Sequence, residues 1–278
     1  KTDDKVEFID RLILAGCKNL EVTSFVRKDK IPQMSDAEEL FIKISDKLNE
    51  NIKLLGLVPN IKGLESAINC GVREIAIFTS LSDTFNQKNI NSTVKESLIK
   101  LEKVAKEAQK NNIKIRGYIS TVFGCPYEGK SSSKKLLEVL TQLLSFGVYE
   151  ISLGDTIGAA NPNQVAEIIN VLSDKVELSK IALHFHDTRG MALVNAFRAM
   201  QLGITKFDSS AGGIGGCPYA KGATGNLATE DLVYFANSLG VNTGIDLQKL
   251  TNASSFILDK LEKKSQSKVF NAFRANPF

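Results

Sequence analysis

The sequence predicts a parallel α/β fold, a (β/α)8 barrel of the TIM type, and three observations carry the prediction. Short runs rich in β-branched residues alternate with longer helical patterns along about 200 residues without a break. The runs are mostly apolar, as strands buried on both faces must be. Polar residues gather at the C-terminal end of nearly every run: Glu21, Thr23 and Ser24; Pro59 and Asn60; Thr79 and Ser80; Arg116, Tyr118 and Ser120; Asp155; His184 and His186; Asp208 to Ser210. A barrel points all of those ends at one site, whereas an open doubly wound sheet uses only its switch point.

The chain begins with a helical pattern over Asp3–Leu14 that stops at Gly16 and feeds the first strand candidate, Asn19–Ser24. Ser35, with Glu38 three residues on, reads as a capping box opening a helix over Ala37–Leu48. The second strand candidate is Ile52–Val58. The stretch NCGVREIAI then shows a helix ending at glycine and passing into the third, Val72–Phe78. A helical pattern over Val94–Gln109 precedes the fourth, Ile113–Ser120. SFGVYEISL and QLGITKFD repeat the helix, glycine, strand junction and lead into Val148–Leu153 and Ile204–Asp208, with Lys180–His186 between them. Because the chain counts seven strands and opens on a helix, the first strand of the barrel is expected to lie outside this sequence. One domain, residues 1–278, is expected, with about 241–278 a helical extension that includes a helix around Leu247–Lys263.

Composition removes several function classes. A net charge of +4 is spread over helices of mixed sign, with no dense basic stripe, so nucleic acid is not expected as a partner. No run approaches the ~18 apolar residues of a membrane span, and KTDDKVEF has none of the apolar character of a secretion signal. The C-terminal NPF is not a peroxisomal address. Cys17, Cys70, Cys125 and Cys217 are far apart with no C-x-x-C pair, which suits reduced thiols in a bacterial cytoplasm or an organelle matrix. Cys17 and Cys70, at helix ends, read as core residues.

The chemistry concentrates in LHFHDTRG, Leu183 to Gly190. Side chains alternate along a strand, so His184 and His186 point the same way while Phe185 faces the helices. Two imidazoles on one side of a strand end form half of a metal site, or else a hydrogen-bonded structural pair, and these are the only two histidines of the chain. The next strand leads into GGIGGCPYAKGATGN, Gly212 to Asn226, which brings Asn226 back to the same mouth with an amide oxygen to offer. Two histidines, an amide oxygen and a carboxylate form a nitrogen and oxygen set suited to Mg2+ or Mn2+. Zinc stays open, although no cysteine has the spacing of a closed structural zinc site. Glycine loses the most conformational entropy on ordering, so this loop reads as one that closes over something and carries Cys217 with it. Cys125, in a second GCPY, is the rival thiol. Asp155 can act on substrate or cap the segment that follows it, and Glu21 can act or pair with a neighbouring cation.

LHFHDTRG followed by SSAGGIGGCPYAKGATGNLATEDLVY, together with EVTSF, PNIKGLESA, GCPYEGK with KKLLEVL after it, and YEISLGDTIG, resembles the 3-hydroxy-3-methylglutaryl-CoA lyases. These are members of the metal-dependent lyase and synthase barrels, and the likeness runs from Lys1 to about Lys268. The resemblance implies cleavage of an acyl-CoA thioester, 3-hydroxy-3-methylglutaryl-CoA, into acetyl-CoA and acetoacetate, as in leucine degradation and ketone-body metabolism. It implies that His184, His186 and Asn226 hold the divalent cation and that Cys217 transfers a proton. It implies further that Glu21 and Asp155 line the reacting centre and that Asn89, Tyr118 and Arg116 meet substrate or coenzyme. The family's Arg–Asp pair belongs to a first strand with no counterpart in this sequence. Arg189 stands where the family more often has Tyr. A homodimer is expected, because such barrels commonly pair. Two rival readings stand beside this one, a Claisen-type synthase of the isopropylmalate or citramalate class and a non-catalytic barrel that binds metal or acyl-CoA.

Overall fold

A computed structural model of the chain describes residues 1–49, 51–215 and 225–275. Among the described residues seven strands form one sheet in chain order: β1 (Asn19–Ser24), β2 (Lys53–Leu57), β3 (Glu74–Ser80), β4 (Lys114–Ser120), β5 (Glu150–Asp155), β6 (Ile181–Phe185) and β7 (Phe207–Asp208). Every neighbouring pair is parallel. Helices stand between them: α1 (Thr2–Leu14) before β1, then α2 (Ala37–Ile44), α3 (Ile61–Asn69), α4 (Asp83–Ile90), α5 (Val94–Lys110), α6 (Ser133–Ser145), α7 (Pro162–Ser173) and α8 (Ala192–Gln201). After β7 come α9 (Thr229–Ser238), α10 (Leu247–Leu261) and α11 (Lys268–Ala275).

The sheet is curled into a TIM-barrel-like fold, and side chains prove the curl. Tyr118 of β4 reaches Glu21 of β1, and Arg116 of β4 reaches Asp208 of β7, so the two ends and the middle of the sheet meet in one interior. A flat sheet, with strands ~4.8 Å apart, would hold those residues well beyond contact. The strand order places β1 and β7 at the two edges of the sheet. The main core lies between strands and helices, with Leu40, Phe41, Ile75, Ile77, Ile115, Ile119, Leu136 and Phe185 at most 2 % exposed. A second, smaller cluster joins Leu12 and Ala15 next to β1 with Val233 of α9 and Leu250 and Ala253 of α10, which fastens the C-terminal helices to the start of the chain.

Three expectations are corrected locally. Ser35 does not cap α2. The residue before that helix is Asp36, whose side chain caps nothing because Lys5 Nζ (2.6 Å) and Thr2 Oγ1 (3.0 Å) occupy its carboxylate. The same helix ends at Ile44 and continues as a 3-10 turn, Ser45–Lys47. Strand β7 begins at Phe207 rather than Ile204, because the N–H of Ile204 closes the end of α8 on the carbonyl of Ala199.

Candidate active site

The mouth of the barrel is built where β6, β7 and the returning chain meet. His184 lies within β6 and His186 directly after it, and their rings stand 5.2 Å apart between centroids. Beyond the glycine loop the chain comes back along the strand ends. Asp187 N–H donates to the Gly225 carbonyl and Leu227 N–H to the Phe185 carbonyl, so His186 and Asn226 form an antiparallel bridge. Backbone pairing, rather than side-chain contact, therefore delivers Asn226 to the histidines. Asn226 Nδ2 donates to the Ile214 carbonyl at 3.1 Å, which commits the amino end of the amide. Gly215 makes room for it: at φ 124° only glycine is comfortable, and a Cβ there would stand 2.5 Å from Asn226 Nδ2. Cys217 lies outside the described residues, in the loop whose two ends are held by these contacts.

Below the histidines runs a polar network with Arg116 at its centre. Its guanidinium donates to Glu150 Oε1 (2.7 Å), to Asp208 Oδ1 (2.8 Å) and to the Tyr118 hydroxyl (2.6 Å). Tyr118 in turn donates to Glu21 Oε2 at 2.7 Å. Ser152 Oγ donates to Asp208 Oδ2 at 2.6 Å, and that same oxygen lies 3.7 Å from His184 Nδ1. Burial works against the charge on Arg116, but Asp208, with Tyr118 and Glu150, more than offsets it and holds the guanidinium firmly ionised. Burial likewise pushes Asp208 up, yet His184 and Arg116 keep its carboxyl well below the usual range. Glu21 behaves in the opposite way. Although it meets solvent in the mouth, crowding by protein raises its carboxyl, with the Tyr118 hydrogen bond lowering it and Asp208 raising it.

The remaining expected residues divide. Asp155 is 1 % exposed and spends both carboxylate oxygens on the backbone N–H groups of Ala159 (2.8 Å) and Ala160 (3.0 Å), the capping arrangement. Burial raises its carboxyl and those two bonds lower it. Asn89, on α4, lines the same cleft of about 2740 Å³ as Glu21, Tyr118, His184, His186 and Asn226. Cys125 is buried and donates to Ser82 Oγ at 3.1 Å, held in the loop after β4 rather than presented to the mouth. Cys17 and Cys70 are buried, as expected, and burial pushes the Cys17 thiol up to about 11. Arg189 Nη1 donates to the carbonyls of Ile157 (2.8 Å) and Gly158 (3.0 Å), tying the loop after β6 to the loop after β5. Two members of the network, Ser152 and Glu150, were missed in the sequence, and Asp208 was noticed only as one polar strand end among many. The signal available for Ser152 was its place on an inward pleat of β5, two residues on from Glu150.

Among the described residues no three His, Cys, Asp or Glu side chains gather as a metal site, so a divalent cation at this mouth would draw on the two imidazoles and the amide oxygen of Asn226. His186 Nδ1 is buried without a hydrogen-bond partner. Burial, then the neighbouring His184, push His186 down to about 4, so at neutral pH the ring is uncharged and has a lone pair to give.

Comparison with known proteins agrees with this geometry. Mitochondrial hydroxymethylglutaryl-CoA lyase of Homo sapiens is 46 % identical over 271 residues, 98 % of this chain and 83 % of the relative. The crystal structure of the Bacillus subtilis HMG-CoA lyase superposes with a TM-score of 0.95 at 45 % identity, covering 98 % of this chain and 91 % of that one. An HMG-CoA lyase of Acinetobacter baumannii, solved in complex with coenzyme A and 3-methylmalate, superposes with a TM-score of 0.93 at 36 % identity, covering 100 % and 90 %. The HMGL-like family pattern matches residues 1–257. A parallel barrel, a histidine pair at one strand end and this breadth of likeness lead to one assignment: the chain belongs to the HMGL-like family.

Proposed function

We propose that this protein is a lyase that splits 3-hydroxy-3-methylglutaryl-CoA into acetyl-CoA and acetoacetate, using Mg2+ or Mn2+ held by His184, His186 and Asn226. The observation that supports it most is the backbone bridge that sets Asn226 against His186 at the mouth into which Glu21 and Tyr118 also project. Relatives named as HMG-CoA lyases, one of them solved with coenzyme A, supply the substrate class. When bound, the cation supplies Lewis acidity that makes the substrate's tertiary hydroxyl easier to ionise and fixes the direction of the bond to be broken.

The chain's own groups do the proton work. Glu21, raised by its surroundings, is a stronger base than an ordinary carboxylate and takes the proton of the 3-hydroxyl. The oxygen's electron pair becomes the ketone of acetoacetate as the C2–C3 bond breaks, and the electrons of that bond pass to C2 as the thioester enolate. Cys217 then hands its thiol proton to C2, giving acetyl-CoA, from a loop rich enough in glycine to close over substrate and exclude water. Asp155 serves the same centre by holding the loop after β5 through Ala159 and Ala160. Asn89 and Tyr118 meet the substrate from the cleft wall, and Arg116 acts by setting Tyr118.

The unpaired thiols Cys17, Cys70 and Cys125 suit a reducing cytoplasm or matrix, and among the described residues no helix is long and apolar enough to cross a membrane. The reading includes a homodimer. Light scattering at working concentration tests it, with a mass near twice the 30.3 kDa of the chain expected and a monomer against it. The activity is tested by incubating the full-length protein with Mg2+ and 3-hydroxy-3-methylglutaryl-CoA and following both products. Equal yields of acetyl-CoA and acetoacetate are expected. No cleavage, together with condensation of acetyl-CoA onto a 2-keto acid, would move the protein to the synthase class.

A further inference from the structure

We infer that Asp208 is a positioning residue for the cation site: a fixed carboxylate that orients His184 as a ligand. The inference rests on the proposed cation site but names a group outside its ligand set. Three features separate Asp208 from an ordinary core carboxylate. Its position is overdetermined, with Oδ1 on Arg116 Nη2 (2.8 Å) and Oδ2 on Ser152 Oγ (2.6 Å) and on Arg116 Nη1 (3.3 Å). Arg116 is itself anchored to Glu150 at 2.7 Å, and Lys206 Nζ holds the other oxygen of Glu150 at 2.6 Å, so the carboxylate cannot turn without breaking a chain of ion pairs. Its Oδ2 is the atom that faces His184, 3.7 Å from Nδ1 and in the register position paired with it, His184 beside Asp208.

The chemistry follows from that orientation. At 3.7 Å the contact is longer than a hydrogen bond and well within ion-pair reach. A carboxylate at that place favours the tautomer with its proton on Nδ1, which puts the lone pair of His184 on Nε2, and it makes the ring a better electron donor. Partners of this kind on the far nitrogen of a ligating histidine commonly contribute ~10- to 100-fold in metal affinity. Tyr118 spends its hydroxyl proton on Glu21 at 2.7 Å, and among the carboxylates of the network Asp208 is the one in ion-pair contact with the His184 ring. Arg116, then, has two arms: one sets Tyr118 and Glu21, where the hydroxyl proton goes, and one sets Asp208 and so His184.

The test is a Mn2+ titration of the full-length protein by calorimetry, with unfolding midpoints measured on the metal-free proteins. Asp208→Asn, which keeps shape and loses charge, should weaken Mn2+ binding ~10- to 100-fold. Ser152→Ala, which removes the shorter of the two hydrogen bonds to Oδ2 and leaves the one from Arg116 Nη1, should weaken it by a smaller factor, ~3- to 10-fold, with the unfolding midpoint near wild type. His186→Ala is the control for the site itself. If His186→Ala loses Mn2+ binding while folded Asp208→Asn binds Mn2+ as wild type does, the inference about Asp208 is wrong and the cation site stands. If His186→Ala also binds as wild type does, the cation site is wrong and the inference falls with it. Should Asp208→Asn not fold, Ser152→Ala decides, and wild-type affinity there overturns the inference.

Discussion

Tyr118→Phe removes a single oxygen from the centre of the site and leaves the ring that fills the space. That oxygen accepts from Arg116 at 2.6 Å and donates to Glu21 at 2.7 Å. Arg116 keeps Glu150 and Asp208, so it stays in place, and the loss falls on Glu21. A hydrogen bond to a charged group is worth ~1.5–3 kcal/mol, and each ~1.4 kcal/mol is tenfold in rate, so kcat/KM should fall about 10- to 100-fold. The variant should also shift the pH profile. Burial raises the carboxyl of Glu21 and the Tyr118 bond opposes that rise, so removing the bond raises it further. A base is lost as pH falls through its pKa, and the acid limb of the kcat/KM profile should therefore move to higher pH. The assay is acetyl-CoA release from 3-hydroxy-3-methylglutaryl-CoA at saturating Mg2+ across the acid range, with the unfolding midpoint as a control for fold. Unchanged kcat/KM together with an unmoved acid limb would remove Glu21 as the base and Tyr118 as its partner.

Other outcomes follow from the same geometry. His186 is held down to about 4 from an ordinary 6.5, so between those values the unfolded chain binds a proton that the folded chain refuses, and metal-free stability falls as pH drops through that window. Denaturant unfolding at pH 7 and pH 5 should show the wild type losing about 2 kcal/mol more than His186→Ala, and equal losses would contradict the buried neutral ring. Cys217→Ser in the full-length protein should lower kcat ~10²- to 10⁴-fold with KM little moved, whereas Cys125→Ser should keep most activity. Acetyl-CoA release by the two variants side by side checks this, and the reverse ranking would make Cys125 the acid.

Much of the fold was legible because its signals are local. Glycine-ended helices before β1, β3, β5 and β7, runs of β-branched residues and inward polar residues at strand ends place all seven strands to within about two or three residues. The late starts of β3, β5 and β7 have one cause. Residues such as Val72, Val148 and Ile204 have the β-branched character of strand residues, but their N–H groups close the preceding helix on Ala67, Leu143 and Ala199. Helix α11 falls within the helical extension expected over about 241–278, but its start has no local signal because a distant residue makes it: Asp231 of α9 accepts from Val269 N at 2.8 Å and from Ser267 Oγ at 2.7 Å. The site divides in the same way. The histidine pair was readable from two-residue periodicity, and the return of Asn226 from the direction of the loop. The network of Arg116, Asp208, Ser152 and Glu150 was not, because its members come from three strands: Arg116 and Glu150 meet through the register of β4 and β5, and Asp208 of β7 joins them only when the sheet curls. Asp155 shows the converse limit: its sequence position suits both an acting carboxylate and a cap, and only the bonds to Ala159 and Ala160 show how its oxygens are used.

The central claim is that His184, His186 and Asn226 together hold a divalent cation that cleavage requires. Calorimetric titration of the chelator-treated full-length protein with Mn2+, beside His184→Ala, His186→Ala and Asn226→Ala, addresses it directly. The account predicts one site per chain in the wild type and affinity at least tenfold weaker in each variant, with unfolding midpoints in the absence of metal little changed. Wild-type affinity in all three folded variants would contradict it.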